Sequence, residues 1–337
     1  MIIQNDVSAK AYNSFGIDVR LSTLIELDKV SDLSYLSHYL KNKPVRILGG
    51  GSNVLLTEEV ELPLCLVTFK GMDIVLDDPG YVLLRVQAGE VWHDVVTWAV
   101  EHGYGGIENL ALIPGRTGAA PIQNIGAYGV EIKDVLHSVR AHEMVSGQVF
   151  TFHCSECGFG YRQSYFKNKW KDRFLIQDVT LKLTKSGHHR INTSYGAITK
   201  VLTEKGIDNP SISNVCDAVV SIRTHKLPDP SEIGNAGSFF KNPVISEDQY
   251  QKLKSSHPEI VSYPVENGVK LAAGWLIDSC GWKGKIVGKT GTYENQALVL
   301  VNHGGASGAE VYALSESIQS DVMSTYGVKL EREVNVW

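Results

Sequence analysis

Pro44-Val-Arg-Ile-Leu-Gly-Gly-Gly-Ser-Asn-Val-Leu-Leu56 is the stretch that decides the fold. The apolar residues on either side of its glycines each fit a short buried strand. A glycine turn between two strands can present several backbone N–H groups to a phosphate without obstruction by side chains. The sequence therefore predicts a strand, a phosphate-compatible turn at residues 49–53, and a second strand.

A second glycine-rich stretch is Ile113-Pro-Gly-Arg-Thr-Gly-Ala-Ala-Pro-Ile-Gln-Asn-Ile-Gly-Ala-Tyr-Gly129. It has too many glycines and prolines for a regular element, so we predict a long, ordered loop that follows a helix over about residues 91–102. Neither loop matches the GxGxxG or GxxxxGK[ST] pattern. Two phosphate-compatible loops nevertheless favour a bound cofactor with a pyrophosphate over two plain turns.

The segment Gly234-Asn-Ala-Gly-Ser-Phe-Phe-Lys-Asn-Pro243 places one hydroxyl, that of Ser238, between glycines and two aromatic residues. Flexible glycines allow such a side chain to be held close to a ligand, while Phe239 and Phe240 can exclude water. A plain glycine turn before a strand explains the same residues. Because no GxSxG elbow surrounds Ser238, it is not predicted to be a hydrolase nucleophile.

Arg162 lies in a run of aromatic residues and glycines, Gly158-Phe-Gly-Tyr-Arg-Gln-Ser-Tyr-Phe-Lys167. A guanidinium there can bind a ligand carboxylate through paired hydrogen bonds. Taken alone, the arginine also fits a surface or structural ion pair. Lys226 and Asn242 bracket the Ser238 segment, and Tyr195 follows a turn. Each of these three can reach a phosphate, and each alone is ordinary.

The last third of the chain predicts helices and a final strand. Capping-box spacing occurs in two pairs, Ser246 with Gln249 and Ser307 with Glu310. The second pair opens a helix that ends at Gly327 and carries an apolar stripe of Val311, Leu314, Ile318 and Val322. The terminal stretch from Val328 to Val336 alternates, which predicts a strand with one polar face of Glu331, Glu333 and Asn335.

Composition excludes several classes of protein. The 337 residues are 43% hydrophobic and 20% charged with a formal net charge of -5, and they contain no basic block, which argues against a nucleic-acid or anionic-membrane surface. The length favours two or three domains. Without a leader or a long apolar stretch, we expect a cytoplasmic protein. The five cysteines fit reduced thiols. Cys154 and Cys157 have metal or redox spacing, but no second pair completes a zinc site.

These segments, in this order, resemble the UDP-N-acetylenolpyruvoylglucosamine reductase family, flavoenzymes of bacterial peptidoglycan precursor synthesis. The similarity runs almost end to end and includes Asn13-Ser-Phe-Gly-Ile-Asp18, Lys226-Leu-Pro-Asp-Pro230 and Leu271-Ala-Ala-Gly-Trp-Leu-Ile-Asp278. The resemblance implies an α+β fold. Its two-part FAD-binding module, of the p-cresol methylhydroxylase and vanillyl-alcohol oxidase type, would occupy residues 1–66 and 67–218. A C-terminal α+β substrate-binding domain would occupy residues 219–337.

The resemblance also implies site residues. Ser238 matches the family's proton donor, and Arg162 with Glu333 matches the pair that handles the substrate carboxylate. Contacts with non-covalent FAD are implied for Gly49, Gly50, Gly51, Ser52, Asn53, Ile113, Pro114, Gly115, Gln123, Asn124 and Gly126. Substrate contacts are implied for Tyr195, on a tyrosine loop typical of one subtype, and for Lys226, Asn242, Tyr263, Lys283 and Gln296. Arg116 departs from the family, which more often has a small residue there.

The implied activity is NADPH-dependent reduction of UDP-N-acetylglucosamine enolpyruvate to UDP-N-acetylmuramate through FAD, by a monomer without a metal, nucleic-acid or membrane partner. Two alternatives stay open. An oxidase of the same flavin superfamily would return electrons to O2, although residues 49–53 lack the histidine that commonly carries covalent flavin in that group. A non-catalytic nucleotide-sugar binding protein would keep the glycine loops without needing Ser238, Arg162 and Glu333 together.

Overall fold

The computed structural model describes residues 1–41 and 43–337. Within them the strands are β1 Ile2–Ser8, β2 Arg20–Leu27, β3 Arg46–Leu48, β4 Val54–Leu55, β5 Leu64–Val67, β6 Met72–Asp77, β7 Tyr81–Gln87, β8 Gly126–Ala127, β9 Val130–Glu131, β10 Leu136–Glu143, β11 Val149–His153, β12 Phe174–Thr184, β13 Gly234–Ser238, β14 Val244–Ile245, β15 Ser262–Val265, β16 Gly268–Leu271, β17 Ile286–Val287, β18 Thr290–Tyr293, β19 Gln296–Asn302 and β20 Asn335–Val336. The helices are α1 Asp32–Leu40, α2 Trp92–Glu101, α3 Gly196–Glu204, α4 Ile212–Lys226, α5 Glu247–Ser256, α6 Ala273–Ser279 and α7 Gly308–Tyr326.

The first compact unit comprises Met1–Val7, Leu21–Gly50 and Glu61–Arg223. One of its sheets has four strands in the order β1-β2-β5-β3, and β5 is parallel to both β2 and β3. A second sheet has five antiparallel strands in the order β11-β10-β12-β7-β6. Parallel and antiparallel pairing together with helices gives this unit the α+β character that was predicted.

The core of this unit follows the apolar patterns of the sequence. In β7 every second residue is buried, as expected for a strand with one inner face: Val82, Leu84 and Val86. The middle strand, β12, is buried from Phe174 to Leu181. Helix α2 adds a buried stripe of Trp92, Val95, Val96 and Ala99 to the same core. The predicted helix at α2 is confirmed.

Both glycine-rich stretches occupy the positions that the sequence predicts. Residues 49–53 connect β3 to β4. Residues 113–129 are irregular apart from a single 3-10 turn at Thr117–Ala119 and the two-residue strand β8. The long ordered loop is therefore confirmed.

The second compact unit comprises Ser8–Arg20, Gly51–Val60 and Thr224–Trp337. It contains an antiparallel sheet in the order β13-β19-β18-β17 and a three-stranded sheet in the order β14-β16-β15. Strand β4 pairs in parallel with the C-terminal β20. The unit is thus assembled from the last third of the chain and two short segments from its beginning.

Helix α7 confirms the predicted caps and stripe. The Ser307 hydroxyl accepts the N–H of Glu310 while the Glu310 carboxylate accepts the N–H of Ser307, so the capping box is complete. Gly327 ends the helix with a left-handed φ of 63°. The four residues of the predicted stripe are all buried: Val311, Leu314, Ile318 and Val322.

Two predictions for this unit are wrong in part. Ser246 accepts the N–H of Gln249, but the Gln249 side chain donates to the carbonyl of Gly327 instead of closing a capping box. The continuous strand over 328–336 is reduced to β20 and one isolated bridge between Arg332 and Phe240. Alternating burial is present, but among the described residues only Asn335 and Val336 of this segment form a regular strand.

In the described part of the chain, no helix combines the length and the apolar character needed to cross a membrane. The predicted domain boundaries after residues 66 and 218 stay predictions.

Candidate active site

In the first unit, the two glycine loops approach each other backbone to backbone. A Cβ added to Gly50 would lie 2.9 Å from the Cα of Gly115, closer than real Cβ contacts allow. A Cβ on Gly49 would lie 3.5 Å from the Cβ of Ala119. Because Gly50 has no side chain, residues 49–50 and 115–116 can form one continuous surface of backbone groups. Such a surface fits the phosphates of a dinucleotide, which need close backbone approach.

The other residues of the first loop belong to the second unit. Gly51 has a left-handed φ of +63°, and a Cβ on it would lie 2.0 Å from the carbonyl oxygen of Tyr12. Its own carbonyl accepts the N–H of Ser14. Asn53 donates its side-chain amide to the carbonyl of Glu333 at 3.4 Å. Ser52 lies between these two anchored residues, so the loop has a fixed course.

Arg162 occupies a tight turn in the first unit. Gly160 and Gln163 exchange two backbone hydrogen bonds of 3.1 Å across it. Arg162 itself has φ 55°, a conformation that is strained for any residue with a side chain. Its guanidinium donates to the carbonyl of Gly126 at 2.8 Å and lies 5.5 Å from the ring centroid of Tyr161. The turn therefore brings a fixed cation to the second glycine loop.

Asn124 fastens that loop to the Arg162 turn. It is fully buried with φ 48°, and its side-chain amide donates to the carbonyl of Gly160 at 3.0 Å. Its side-chain oxygen accepts the N–H of Lys133. Gln123 accepts a longer contact from Lys167 at 3.5 Å. The predicted cofactor residue Asn124 is thus held by protein groups and shapes the loop through them.

Tyr195 precedes the first residue of α3, and its ring meets the ring of Tyr128 edge to face at 5.1 Å. Tyr128 hydrogen-bonds with Arg223, near the end of α4. Burial raises the pKa of Tyr128 and lowers that of Arg223, whose pKa the charge of Arg162 lowers further. The two arginines therefore concentrate positive charge beside the loop, an environment that suits an anionic ligand.

Sequence reasoning missed Tyr128 and Arg223 as members of this group. Tyr128 lies within the quoted loop, but its left-handed φ of 50° is not visible in the residue type. Among the described residues, the buried Nε of Arg223 has no hydrogen-bond partner. Its only sequence signal is its place just before the proline-rich segment at 224–230. An arginine at such a boundary with a buried Nε is a candidate ligand group.

In the second unit, Ser238 is exposed while the two residues after it are almost completely inaccessible. Phe239 is 0% and Phe240 is 1% exposed. Gly237 before the serine has φ 66° and donates its N–H to the buried side chain of Asn235. The strand register also shifts between Asn235 and Ser238. A bulge anchored on both sides therefore presents one hydroxyl outward.

Glu333 lies beside this bulge. Its N–H donates to the carbonyl of Phe239 at 2.8 Å, and the neighbouring Lys241 donates its N–H to the carbonyl of Glu331. Through these bonds the segment around Glu333 runs antiparallel to the residues that follow Ser238. Glu331 is exposed and pairs with Lys241, whereas Glu333 is half-buried. The structure therefore brings Ser238, Glu333 and Asn53 together within the second unit.

The predicted substrate residues of this unit are distributed around it. Asn242 accepts the N–H of Ala273, and a Cβ on Gly274 would lie 2.9 Å from the Gln296 side-chain oxygen, so both residues adjoin the start of α6. Lys283 pairs instead with Asp278 near the other end of α6. Lys226 is exposed at the end of α4, and Tyr263 is exposed on β15.

Arg116, the departure from the family pattern, has partners within the first unit. Its guanidinium donates to the carbonyls of Val67 at 2.8 Å and Gly89 at 3.2 Å. Burial lowers its pKa, and Glu26 opposes that effect. The side chain is thus accommodated by two carbonyls, while its backbone N lies within 3.5 Å of the position that a Gly50 Cβ would take.

The pair Cys154 and Cys157 is not part of a visible metal site. Over residues 1–41 and 43–337, no group of three or more His, Cys, Asp or Glu side chains is arranged to hold a metal ion. All five cysteines are free thiols.

Comparison with known proteins identifies the site's family. A family model described as FAD binding domain matches residues 22–153, and one described as UDP-N-acetylenolpyruvoylglucosamine reductase, C-terminal domain, matches residues 229–337. The reductase of that name from Flavobacterium johnsoniae is 46% identical over 337 residues and covers 100% of both chains. The one from Pseudomonas aeruginosa is 46% identical and covers 99% of both chains. The chain belongs to the UDP-N-acetylenolpyruvoylglucosamine reductase family. This confirms the predicted family and makes the protein an FAD-containing oxidoreductase.

Solved structures agree with this fold. The UDP-N-acetylenolpyruvylglucosamine reductase of Thermus caldophilus matches with a TM-score of 0.71 at 24% identity and covers 100% of this chain and 99% of that one. The 6-hydroxy-D-nicotine oxidase of Arthrobacter nicotinovorans matches with a TM-score of 0.54 at 10% identity and covers 97% of this chain and 86% of that one. The reductase-family chain therefore has the predicted combination of a flavoprotein FAD-binding module and a C-terminal domain.

Proposed function

We propose that the protein reduces UDP-N-acetylglucosamine enolpyruvate to UDP-N-acetylmuramate with NADPH as the hydride donor. The observation that carries the proposal is the exposed Ser238 hydroxyl on an anchored bulge beside Glu333, in a chain whose full length matches reductases of this name. FAD, when bound, would accept a hydride from NADPH and supply it to the substrate. The glycines at 49–51 and 115 are the backbone groups that would hold its phosphates.

The substrate explains why the site needs a cation. Its double bond is conjugated to a carboxylate, so addition of hydride to the terminal CH2 carbon moves the double-bond electrons to C2 and into that carboxylate. Negative charge then grows where an anion already lies. Arg162 offers a planar fork of N–H donors that matches a carboxylate, and stabilising the growing charge is its proposed role. Arg223 would add positive charge from the same unit.

Ser238 is the proposed proton donor to C2, which completes the lactyl ether. A serine hydroxyl is a weak acid, but a carbanion is a strong base, so position contributes more than acidity. The bulge fixes that position through Gly237 and the two buried phenylalanines. Solvent would then return a proton to the hydroxyl.

Glu333 would assist in its protonated form, by donating a hydrogen bond to the substrate carboxylate. An ionised carboxylate there would repel the enolate. Its backbone bond to Phe239 couples its position to that of Ser238. Tyr195, Lys226 and Asn242 are the proposed contacts of the UDP phosphates.

Three further residues, Tyr263, Lys283 and Gln296, are proposed to contact substrate or nicotinamide. Lys283 would have to exchange its present partner Asp278 for that role. We also propose that the protein is a cytoplasmic monomer with domain boundaries after residues 66 and 218.

Anaerobic stopped-flow absorbance tests the function. We expect NADPH to bleach the flavin band of the purified protein and UDP-N-acetylglucosamine enolpyruvate to restore it. Rapid recovery of the band with O2, and none with the enolpyruvate, would instead identify an oxidase. If NADPH does not bleach the band, the result would favour the alternative of a non-catalytic nucleotide-sugar binding protein.

A further inference from the structure

The beginning of helix α2 is hydrogen-bonded at three places to residues 110–115, which include the start of the second glycine loop. The indole N–H of Trp92 donates to the carbonyl of Leu110 at 2.9 Å. The backbone N–H of Trp92 donates to the carbonyl of Gly115 at 3.0 Å. Between them, the N–H of Leu112 donates to Nδ1 of His93 at 3.1 Å. The first turn of the helix therefore holds residues 110–115 through these hydrogen bonds, and these residues lead into the proposed FAD phosphate loop.

Of these three bonds, the one to His93 is made at the strained residue. Leu112 has φ 59°, a left-handed conformation that a branched side chain disfavours. Such a conformation persists only where surrounding groups hold it. The next three residues, 113–115, include Gly115, whose Cα lies at the closest approach to Gly50. A change at Leu112 would thus be transmitted directly to the surface formed by the two glycine loops.

His93 can accept this bond only while Nδ1 carries no proton. The imidazole must be neutral with its proton on Nε2, because a protonated ring would place two donors face to face. Burial lowers the pKa of His93 below its ordinary value. Arg223 of α4 lowers it further, and Asp94 on the same helix opposes both effects. These charges and the burial favour the neutral ring that the geometry requires.

We propose that His93 is a positioning residue for FAD, whose neutral Nδ1 holds Leu112 in its left-handed conformation and keeps the 113–116 loop closed against Gly50. The inference rests on the proposed role of this loop in binding FAD. It gives the protein a pH dependence of cofactor retention that the reaction itself does not need.

The hydrogen bond from Leu112 to His93 weakens as the pH falls. The native protein binds a proton at His93 less readily than the unfolded or loop-open protein does. The hydrogen bond therefore stabilises the closed loop fully above the ordinary histidine pKa of about 6.5. This stabilisation is lost as the pH falls below that value and through the lower pKa of His93 in the native protein. FAD affinity should decline over the same range.

The test compares wild type, His93→Asn and His93→Leu as purified apoproteins titrated with FAD by fluorescence at pH values from about 8 down to 5.5. Asparagine places an acceptor near the position of Nδ1 but does not titrate. At the high pH we expect wild type and His93→Asn to bind FAD equally well. At the low pH we expect wild type to bind FAD on the order of tenfold more weakly than His93→Asn does. His93→Leu should bind weakly throughout. His102→Asn, at the exposed end of the same helix, is the matched control and should follow wild type.

A second measurement does not use FAD. In apoprotein labelled with 15N-leucine, the amide of Leu112 should exchange with solvent faster in His93→Leu than in His93→Asn at the same pH. Equal exchange in the two variants, or equal FAD affinity of His93→Leu and wild type, would overturn the positioning role. Failure of wild type to bind FAD at any pH would refute the proposed cofactor site instead, so the two ideas fail separately.

Discussion

At the scale of single residues, Ser238 offers the cleanest separation of chemistry from structure. Its hydroxyl is exposed, and Gly237, Phe239 and Phe240 fix the backbone without it. Ser238→Ala should therefore fold normally and still allow NADPH to reduce the flavin. Reoxidation by the enolpyruvate should slow by about 100-fold or more, because general-acid catalysis contributes that much. Stopped-flow absorbance measures both half-reactions, with Ser255→Ala on the surface of α5 as a control. Unchanged reoxidation would remove Ser238 from the mechanism.

Arg162→Lys tests the geometry of a cation rather than its charge. The strained φ is shared by both residues, so the substitution changes mainly the fork of donors. We expect kcat to fall by about 100-fold, the usual cost of losing one donor to a developing oxyanion. Arg173→Lys is a suitable control, since that arginine is exposed and pairs with Glu143. Steady-state kinetics in which the two variants behave alike would contradict the role of Arg162.

At the scale of elements, the contact between the glycine loops predicts a steric effect. A Cβ on Gly50 would lie 2.9 Å from the Cα of Gly115, which is backbone and cannot move aside cheaply. Gly50→Ala should therefore be purified with little FAD while its secondary structure is retained. The ratio of flavin to protein absorbance and the far-ultraviolet circular dichroism spectrum measure the two properties. Gly196→Ala, which has open space around its new methyl group, should keep its FAD. Full flavin content in Gly50→Ala would show that the loops can separate.

Elements with a local cause were predictable from the sequence. Helix α7 begins at a capping box and ends at a left-handed glycine, and both signals lie within a few residues of the ends that they define. The final strand was predicted too long because alternation reports burial and not pairing. Val328, Leu330 and Val334 are buried, yet only Asn335 and Val336 find a parallel partner, in β4. The partner is distant in sequence, so no local pattern could reveal how few residues it would pair.

The residues of the candidate site also differ in how clearly the sequence marks them. Ser238 and Gly50 lie in glycine-rich stretches that draw attention in the sequence, and the family resemblance implied their roles. The hydrogen bond between His93 and Leu112 could not be identified, because neither residue type indicates a left-handed φ or a hydrogen bond across 19 positions. Likewise, Arg223 becomes part of a charged group only after α4 brings it to Tyr128. Residues that act through tertiary contacts leave little trace in a single sequence.

At the scale of the whole molecule, the cysteines report on global folding. Burial raises the pKa of Cys65 and Cys157 to about 12 and that of Cys216 to about 11, so these thiols are neutral and inaccessible. Cys154 and Cys280 are partly exposed. We expect Ellman's reagent to label those two slowly in the native protein and all five in denaturant. Rapid labelling of a third thiol under native conditions would indicate local opening of the core.

Strand β4 sets a condition on how the chain is made. Val54 and Leu55 pair with Asn335 and Val336, and the N–H of Thr57 donates to the carbonyl of the terminal Trp337. During synthesis β4 leaves the ribosome long before its partner β20 does. This part of the second unit cannot close until residues 335–337 have left the ribosome, because Thr57 and its partner Trp337 are 280 positions apart in sequence. A nascent chain stalled before residue 335 would therefore carry an unpaired strand β4, next in sequence to the loop that is proposed to receive FAD.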